Sequence, residues 1–208
     1  MKVLVTCGPT WVPIDQVRVI SNTSTGHMGH AIADAFIKAG AKVTVVEGPV
    51  TDSWHNRRAK VFKYCFFDEL ARLLRTLLRQ RFDVVVHAAA VSDFRLAKPS
   101  ATKIDSSKPV SLNLTPTIKL IELIRRIAPK TILVGFKLEA TLAKAVKDGK
   151  ALLAKAGCDL LVANSSGKVY KACLLDKHGR SMVETSSKEK IAQCLAQAIV
   201  NHIKLSGK

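Results

Sequence analysis

An α/β fold is predicted for this chain: a doubly wound, mostly parallel, Rossmann-like sheet with helices on both faces and a small hairpin extension. Three observations carry that expectation. Short apolar strands alternate with helical segments, the strand ends run into Gly, Pro and small polar residues, and 48% of residues are apolar but only 5% aromatic. A core of Ala, Val, Leu and Ile is the usage of parallel strands covered on both sides. At 208 residues one domain spanning 1–208 is expected, large enough to bury a core without disulfides.

The elements follow in order. Lys2 to Cys7 reads as a buried strand, and Gly8-Pro9-Thr10 is turn chemistry. Residues 26–39 read as a helix, with Met28, Ile32, Ala35, Phe36 and Ala39 at helical spacing and Gly40 as a stop. Strands are expected at 42–46 and 61–64, a helix at 67–78, and a nearly all-apolar central strand at 83–90. Residues 91–110 hold two prolines and no periodicity, which predicts a long loop leaving that strand. A short strand near 110–114, a helix at 117–127, a strand at 131–136, an Ala-rich helix at 140–156 and a strand at 159–163 follow. The tail reads as a hairpin around Asp176 to Gly179, then a helix capped by Ser186 or Ser187.

In a doubly wound sheet, ligands bind beyond the carboxyl ends of the strands. The segments 8–29, 89–108 and 135–139 are therefore expected to converge on one crevice.

Composition narrows the function classes. No window approaches the roughly 20 apolar residues of a membrane span, and no signal peptide opens the chain, so a cytoplasmic protein is expected. Five widely spaced cysteines without a C-x-x-C pair indicate neither a disulfide framework nor a zinc site. The net charge of +17 attracts polyanions. Nucleic acid is one such partner, but Arg72, Arg75, Arg79 and Arg81 lie on or beside a leucine-bearing helix without interleaved aromatics, the pattern of a solvated face.

Residues 21–29, Ser-Asn-Thr-Ser-Thr-Gly-His-Met-Gly, set small polar side chains and two glycines before a helix. Backbone N–H groups and the helix dipole would face an anion there, although an ordinary helix cap has the same look. Two nucleotide templates fail. G-x-x-x-x-G-K-[ST] is absent, and Gly8-Pro9-Thr10 stands where G-x-G-x-x-G would follow the first strand. A reductase-like dinucleotide binder lacks its Tyr-x-x-x-Lys pair, because four residues after Tyr64 and Tyr170 stand Asp68 and Leu174. His27, His30 and His87 tempt a metal reading, but neither H-E-x-x-H nor an acidic neighbour supports it in sequence.

The ordered motifs resemble the phosphopantothenate–cysteine ligase (phosphopantothenoylcysteine synthetase) family. They are the opening strand with Gly8 and Thr10, Pro13 to Asp15 with Val17-Arg18, Ile20 to Gly29, Glu47 to Val50, Ala88 to Phe94, Lys103 to Ser107, Gly135 to Glu139 and Asp159 to Asn164. The resemblance implies a two-step reaction in coenzyme A biosynthesis. The carboxylate of 4'-phosphopantothenate attacks the α-phosphate of CTP or ATP, releasing pyrophosphate, and the amine of L-cysteine then displaces the nucleoside monophosphate. It implies Asn22 and Lys103 as catalytic residues, and Ser24, Thr25, Gly26, Ala89, Asp93 and Phe136 as nucleotide contacts. Asn22 and His27 would contact the phosphorylated substrate, and Asp93 would help hold Mg2+. It further implies a homodimer, no membrane partner and, for a stand-alone type, no FMN. Pro9 and Ser165 depart from the family pattern.

Overall fold

The structure is a computed structural model that describes residues 1–51 and 54–205. Twelve strands and five helices are found among those residues. The main sheet contains β1 (Lys2–Cys7), β4 (Lys42–Glu47), β5 (Ala59–Lys63), β6 (Val84–His87), β9 (Ile132–Glu139), β10 (Leu160–Ser165), β11 (Ala172–Asp176) and β12 (Ser181–Thr185). Its order is β12-β11-β10-β9-β6-β1-β4-β5. The six strands from β10 to β5 are parallel, and β11 and β12 add an antiparallel hairpin at one edge. That is the doubly wound sheet with a hairpin extension that alternation predicts.

Helices α1 (His27–Lys38) and α5 (Lys188–Leu205) cover one face. Helices α2 (Phe67–Leu77), α3 (Leu120–Ile127) and α4 (Leu142–Ala156) cover the other. Because both faces are covered, β1 and β6 can be apolar at nearly every position, and Val3, Leu4, Val5, Val84, Val85 and Val86 are fully buried. Each such side chain contributes roughly 1.5–3 kcal/mol by leaving water. On α2 the residues Leu70, Ala71, Leu74 and Leu77 face the core, while Arg72, Arg75 and Arg79 are exposed, as expected for a solvated basic face.

Local signals place the ends. Ser187 Oγ accepts the N–H of Lys190 at 3.1 Å, so it rather than Ser186 caps α5. The β11–β12 turn closes through Gly179 N–H to Asp176 O at 2.8 Å, with Gly179 at φ 73°.

Three stretches differ from expectation. Residues 11–21 form a two-stranded ribbon, β2 (Trp11–Pro13) with β3 (Val19–Ser21). The expected loop 91–110 carries β7 (Phe94–Leu96), and the strand expected near 110–114 lies instead at β8 (Leu114–Pro116), paired antiparallel with β7 outside the main sheet. Helix α3 accordingly starts at Leu120 rather than Thr117. Three-residue strands, two of them ending in proline, are too short for a period-2 pattern to register. The two ribbons lie together as an arm beside the sheet.

Asp15 organises this arm. Its carboxylate accepts from the N–H groups of Val17, Arg18 and Ile104 at 2.9–3.0 Å and from Arg18 Nε and a terminal guanidinium nitrogen at 2.9 and 2.5 Å. The Arg18 guanidinium first, then these backbone donors, hold its carboxyl well below the usual carboxylate range. Arg18 also donates to Ile104 O at 2.6 Å, so one buried charge gathers segments more than eighty residues apart.

Candidate functional site

The chain winds from β1 toward β4 and β5, then returns to β6 and continues toward β9 and β10. Strand order therefore reverses between β1 and β6, where the connections diverge to opposite faces and leave a crevice at the strands' carboxyl ends. A cleft of about 820 Å³ opens there. Its walls are the loop 22–29, residues 87–91 and Asp93 at and beyond the end of β6, residues 117–121 leading into α3, Phe136 to Leu138 on β9, and residues 164–167 at and beyond the end of β10.

Eight of the nine residues implied by the family resemblance line this cleft: Asn22, Ser24, Thr25, Gly26, His27, Ala89, Asp93 and Phe136. Lys103 does not. It is exposed on the arm, next to Ile104 in the Asp15 network.

The loop before α1 is held by one bond to the segment after β6 and one within itself. Asn22 Nδ2 donates to Ala90 O at 3.0 Å, and Ser24 N–H donates to Asn22 O at 3.0 Å. Gly26 takes the N-cap position at φ 76°, a left-handed conformation costly for any side chain, and contributes no side-chain cap. The N–H of His27 has only a 3.4 Å contact with Thr25 Oγ1. The first turn of α1 thus meets the cleft with lightly engaged donors at the positive end of its dipole, an anion-receiving arrangement.

Behind the loop, Thr10 and Ser92 exchange three bonds of 2.8–3.1 Å, and Thr117 Oγ1 donates to Ser92 O at 2.7 Å. These bonds fix the segment that carries Asp93. Asp93 is the one carboxylate among the described residues lining the cleft, and it pairs with Lys119 Nζ at 2.6 Å. Mg2+ in nucleotide sites commonly takes one or two carboxylates and completes its shell with phosphate and water, so a lone Asp93 fits an ion carried in with a polyphosphate. His87, at the end of β6, hydrogen-bonds through Nδ1 with Thr6 Oγ1 at 2.9 Å. Burial pushes its pKa down to about 4, so the ring is neutral at pH 7.

Charge in the cleft is mainly positive. Lys119, Lys137 and Lys188 line it. Lys137 shares Glu139 with Lys144, and those two ammoniums, Lys144 first, bring the Glu139 carboxyl down to about 2. Lys188 lies 5.6 Å from the centre of the Tyr170 ring. At the rim His27 Nε2 stands 3.5 Å from Glu189 Oε1, with both side chains more than half exposed.

Lys119 and Lys188 were not singled out in the sequence, yet a signal exists. Lys119 is the N-cap of α3 and Lys188 the first residue of α5. Cations are disfavoured at helix N-termini unless an anion meets them, so a lysine at each of two helix starts is the signal to follow, and Lys119 there meets Asp93. The departures from the family pattern are accommodated. Pro9 bridges to Ala90 beside β1, and Ser165 is buried with its hydroxyl bonded to the Lys171 backbone at 3.2 and 3.4 Å. Tyr64 is also withdrawn from chemistry, because its buried hydroxyl lies 2.9 and 3.1 Å from the carbonyls of Cys7 and Gly8.

Comparison with known proteins places the chain in a family. The model of the DNA/pantothenate metabolism flavoprotein C-terminal domain matches residues 1–203. The chain belongs to that family. It is 38% identical over 168 residues to the coenzyme A biosynthesis bifunctional protein CoaBC of Thermococcus kodakarensis, a match covering 79% of this chain and 41% of that one. Against the CoaBC protein of Methanocaldococcus jannaschii it is 30% identical over 212 residues, covering 98% of this chain and 50% of that protein. The chain thus spans about half the length of the curated relatives it matches. Among solved structures, the DNA/pantothenate metabolism flavoprotein from Streptococcus pneumoniae superposes with a TM-score of 0.85 at 27% identity, covering 97% of this chain and 99% of that one. Other members of this fold include a Cab2 variant solved in complex with phosphopantothenate-cysteine, with a TM-score of 0.78 at 16% identity, covering 98% of this chain and 88% of that one. Like these proteins, this family member has the mostly parallel α/β sheet expected from its sequence.

Proposed function

We propose that this chain joins 4'-phosphopantothenate to L-cysteine at the expense of a nucleoside triphosphate, CTP or ATP, in coenzyme A biosynthesis. The observation that carries the reading is the meeting of the Asn22 loop, the Ala89 to Asp93 segment and Phe136 in one cleft at the β1/β6 reversal. CoaBC relatives act in that biosynthesis by name, and a member of the fold holds phosphopantothenate-cysteine.

The obstacle in the first step is charge, since a carboxylate must approach the α-phosphate of a polyanion. The lysines and helix N-termini of the cleft offset that repulsion, and fixed donors are worth most in a site that excludes water. The carboxylate oxygen forms a bond to the α-phosphorus as the bond to pyrophosphate breaks. The cysteine amine then bonds to the acyl carbon, the nucleoside monophosphate leaves, and the amine gives up a proton. In this reading Ser24, Thr25, Gly26 and His27 hold phosphate oxygens, Ala89 and Phe136 flank the base, and Asn22 uses its remaining amide hydrogen on the acyl phosphate. Asp93 would hold Mg2+, which neutralises phosphate charge when bound.

Lys103 acts in this reading after the arm closes over the triphosphate, or from a partner subunit. The arm supports a homodimer, because Val17, Phe94 and Leu114 expose 43–65% of their surface there. No described helix is long and apolar enough to cross a membrane, in keeping with a cytoplasmic enzyme.

The deciding experiment follows pyrophosphate release with 4'-phosphopantothenate, comparing CTP with ATP, with and without cysteine. Release that requires both nucleotide and phosphopantothenate supports the reading. Nucleotide hydrolysis indifferent to phosphopantothenate, or none with either nucleotide, overturns it.

A further inference from the structure

Beneath the loop that opens α1 lies a second group of reactive side chains, outside the cleft. Cys7 ends β1, His30 is on the first turn of α1, and Glu47 ends β4. Their donor atoms all lie within 4.8 Å of one another, and all three residues are buried. His30 Nε2 is 2.5 Å from Glu47 Oε1, and Lys63 Nζ contacts Glu47 Oε2 from the solvent side. Sequence offers no sign of this grouping, because positions 7, 30 and 47 meet only when β1 and β4 pair and α1 packs across them.

We infer that Cys7 Sγ, His30 Nε2 and the Glu47 carboxylate form a site for one borderline-soft divalent cation of the zinc type, tying β1, α1 and β4 together under the anion-receiving loop. Thiolate, imidazole and carboxylate are the donors such ions take, at about 2.0–2.3 Å each, and a tetrahedral shell leaves one position for solvent. The surroundings orient the donors. Trp54 stacks on His30 with ring centres 5.2 Å apart and planes 4° apart, which sets the imidazole plane. Gly29 lets α1 press onto Cys7, where an added Cβ would stand 2.2 Å from the Cys7 Cβ.

Without a metal, the buried Glu47 carboxylate is neutralised by Lys63, and burial pushes the Cys7 thiol up to about 12, so it keeps its proton. On binding, the dication replaces the Lys63 ammonium at the carboxylate, the thiol proton leaves to solvent, and the hydrogen that His30 Nε2 shares with Glu47 leaves Nε2 as the ring takes its Nδ1–H tautomer, so a thiolate, a carboxylate and a neutral imidazole set two negative charges against two positive ones. The Lys63 side chain, 69% exposed, can turn outward and open the entry path.

The test titrates the chelator-treated full chain with Co2+ and then Zn2+. The expected result is one equivalent of Co2+ bound with a sulfur-to-metal charge-transfer band, displaced by Zn2+, with proton release and a rise in melting temperature. A hundredfold excess over Kd corresponds to a shift of roughly 5–10 °C in a chain of this size. Cys7→Ser should lose the band, His30→Gln and Glu47→Gln should lose stoichiometric binding, and Lys63→Gln should bind more tightly because the competing ammonium is gone. His178→Gln, on the exposed β11–β12 turn, should change nothing. No stoichiometric binding by the native chain, or a band that survives in folded Cys7→Ser with binding unchanged in Glu47→Gln, overturns the inference.

Discussion

The side-chain amide of Asn22 donates to the backbone carbonyl of Ala90 at 3.0 Å, and the same carbonyl accepts Thr10 N–H at 3.3 Å. Ala90 N–H in turn donates to Gly8 O at 2.9 Å. One asparagine thus joins the loop before α1 to the segment leaving β6, and its orientation is set because only the NH2 end can meet a carbonyl. Asn22→Asp would turn a carboxylate toward that carbonyl and add charge beside the substrate's own. Turnover should fall about 10²–10³-fold while far-UV circular dichroism is unchanged. A near-normal rate of pyrophosphate release would remove Asn22 from the chemistry.

Lys103 is a sharper case, since it lies outside the cleft lining. If its ammonium reaches the triphosphate on arm closure, Lys103→Gln should lower kcat by about 10²-fold and leave the melting temperature alone. An effect confined to KM would assign Lys103 to nucleotide capture instead.

Asp15 is expected to control the arm rather than the main sheet. Asp15→Ala should speed amide exchange at Val17, Arg18 and Ile104, whose N–H groups it accepts, and should weaken self-association in light scattering. In the native chain the folded carboxyl lies below its unfolded value. The protection is therefore complete above the unfolded pKa of about 3.9 and is lost as pH falls below it. Exchange at those amides unchanged by the substitution would refute the role.

His87 makes the whole domain sensitive to mild acid. Its folded pKa of about 4 lies below the ordinary 6.5, so the unfolded chain binds the proton first as pH drops. Stability is fully retained above pH 6.5 and declines toward pH 4, by roughly 3 kcal/mol from this group. Urea midpoints at pH 7 and pH 4.5 should separate more in the native chain than in His87→Gln; equal separations would sink the claim.

Gly29→Ala tests the contact of α1 with β1. An added Cβ would overlap the Cys7 Cβ at 2.2 Å, and overpacking of this kind costs about 1–3 kcal/mol. The melting temperature should fall by roughly 3–10 °C. An unchanged midpoint would mean that the helix can slide on the strand.

Alternation and periodicity by themselves determined the strands of the main sheet, the helices on both faces and the edge hairpin, because burial on two faces leaves an unmistakable run of apolar residues in β1 and β6. The order of motifs determined the family and named eight residues that do line one cleft. Tertiary structure alone decided what depends on contacts distant in sequence. The ribbons β2–β3 and β7–β8 are too short to show a period, and Asp15, between β2 and β3, binds Ile104, between β7 and β8, across the chain. The grouping of Cys7, His30 and Glu47 has no sequence spacing to betray it, since parallel pairing and helix packing bring those positions together. Lys119 lies between these cases: its place at a helix N-terminus is legible, but only the fold sets its ammonium 2.6 Å from Asp93.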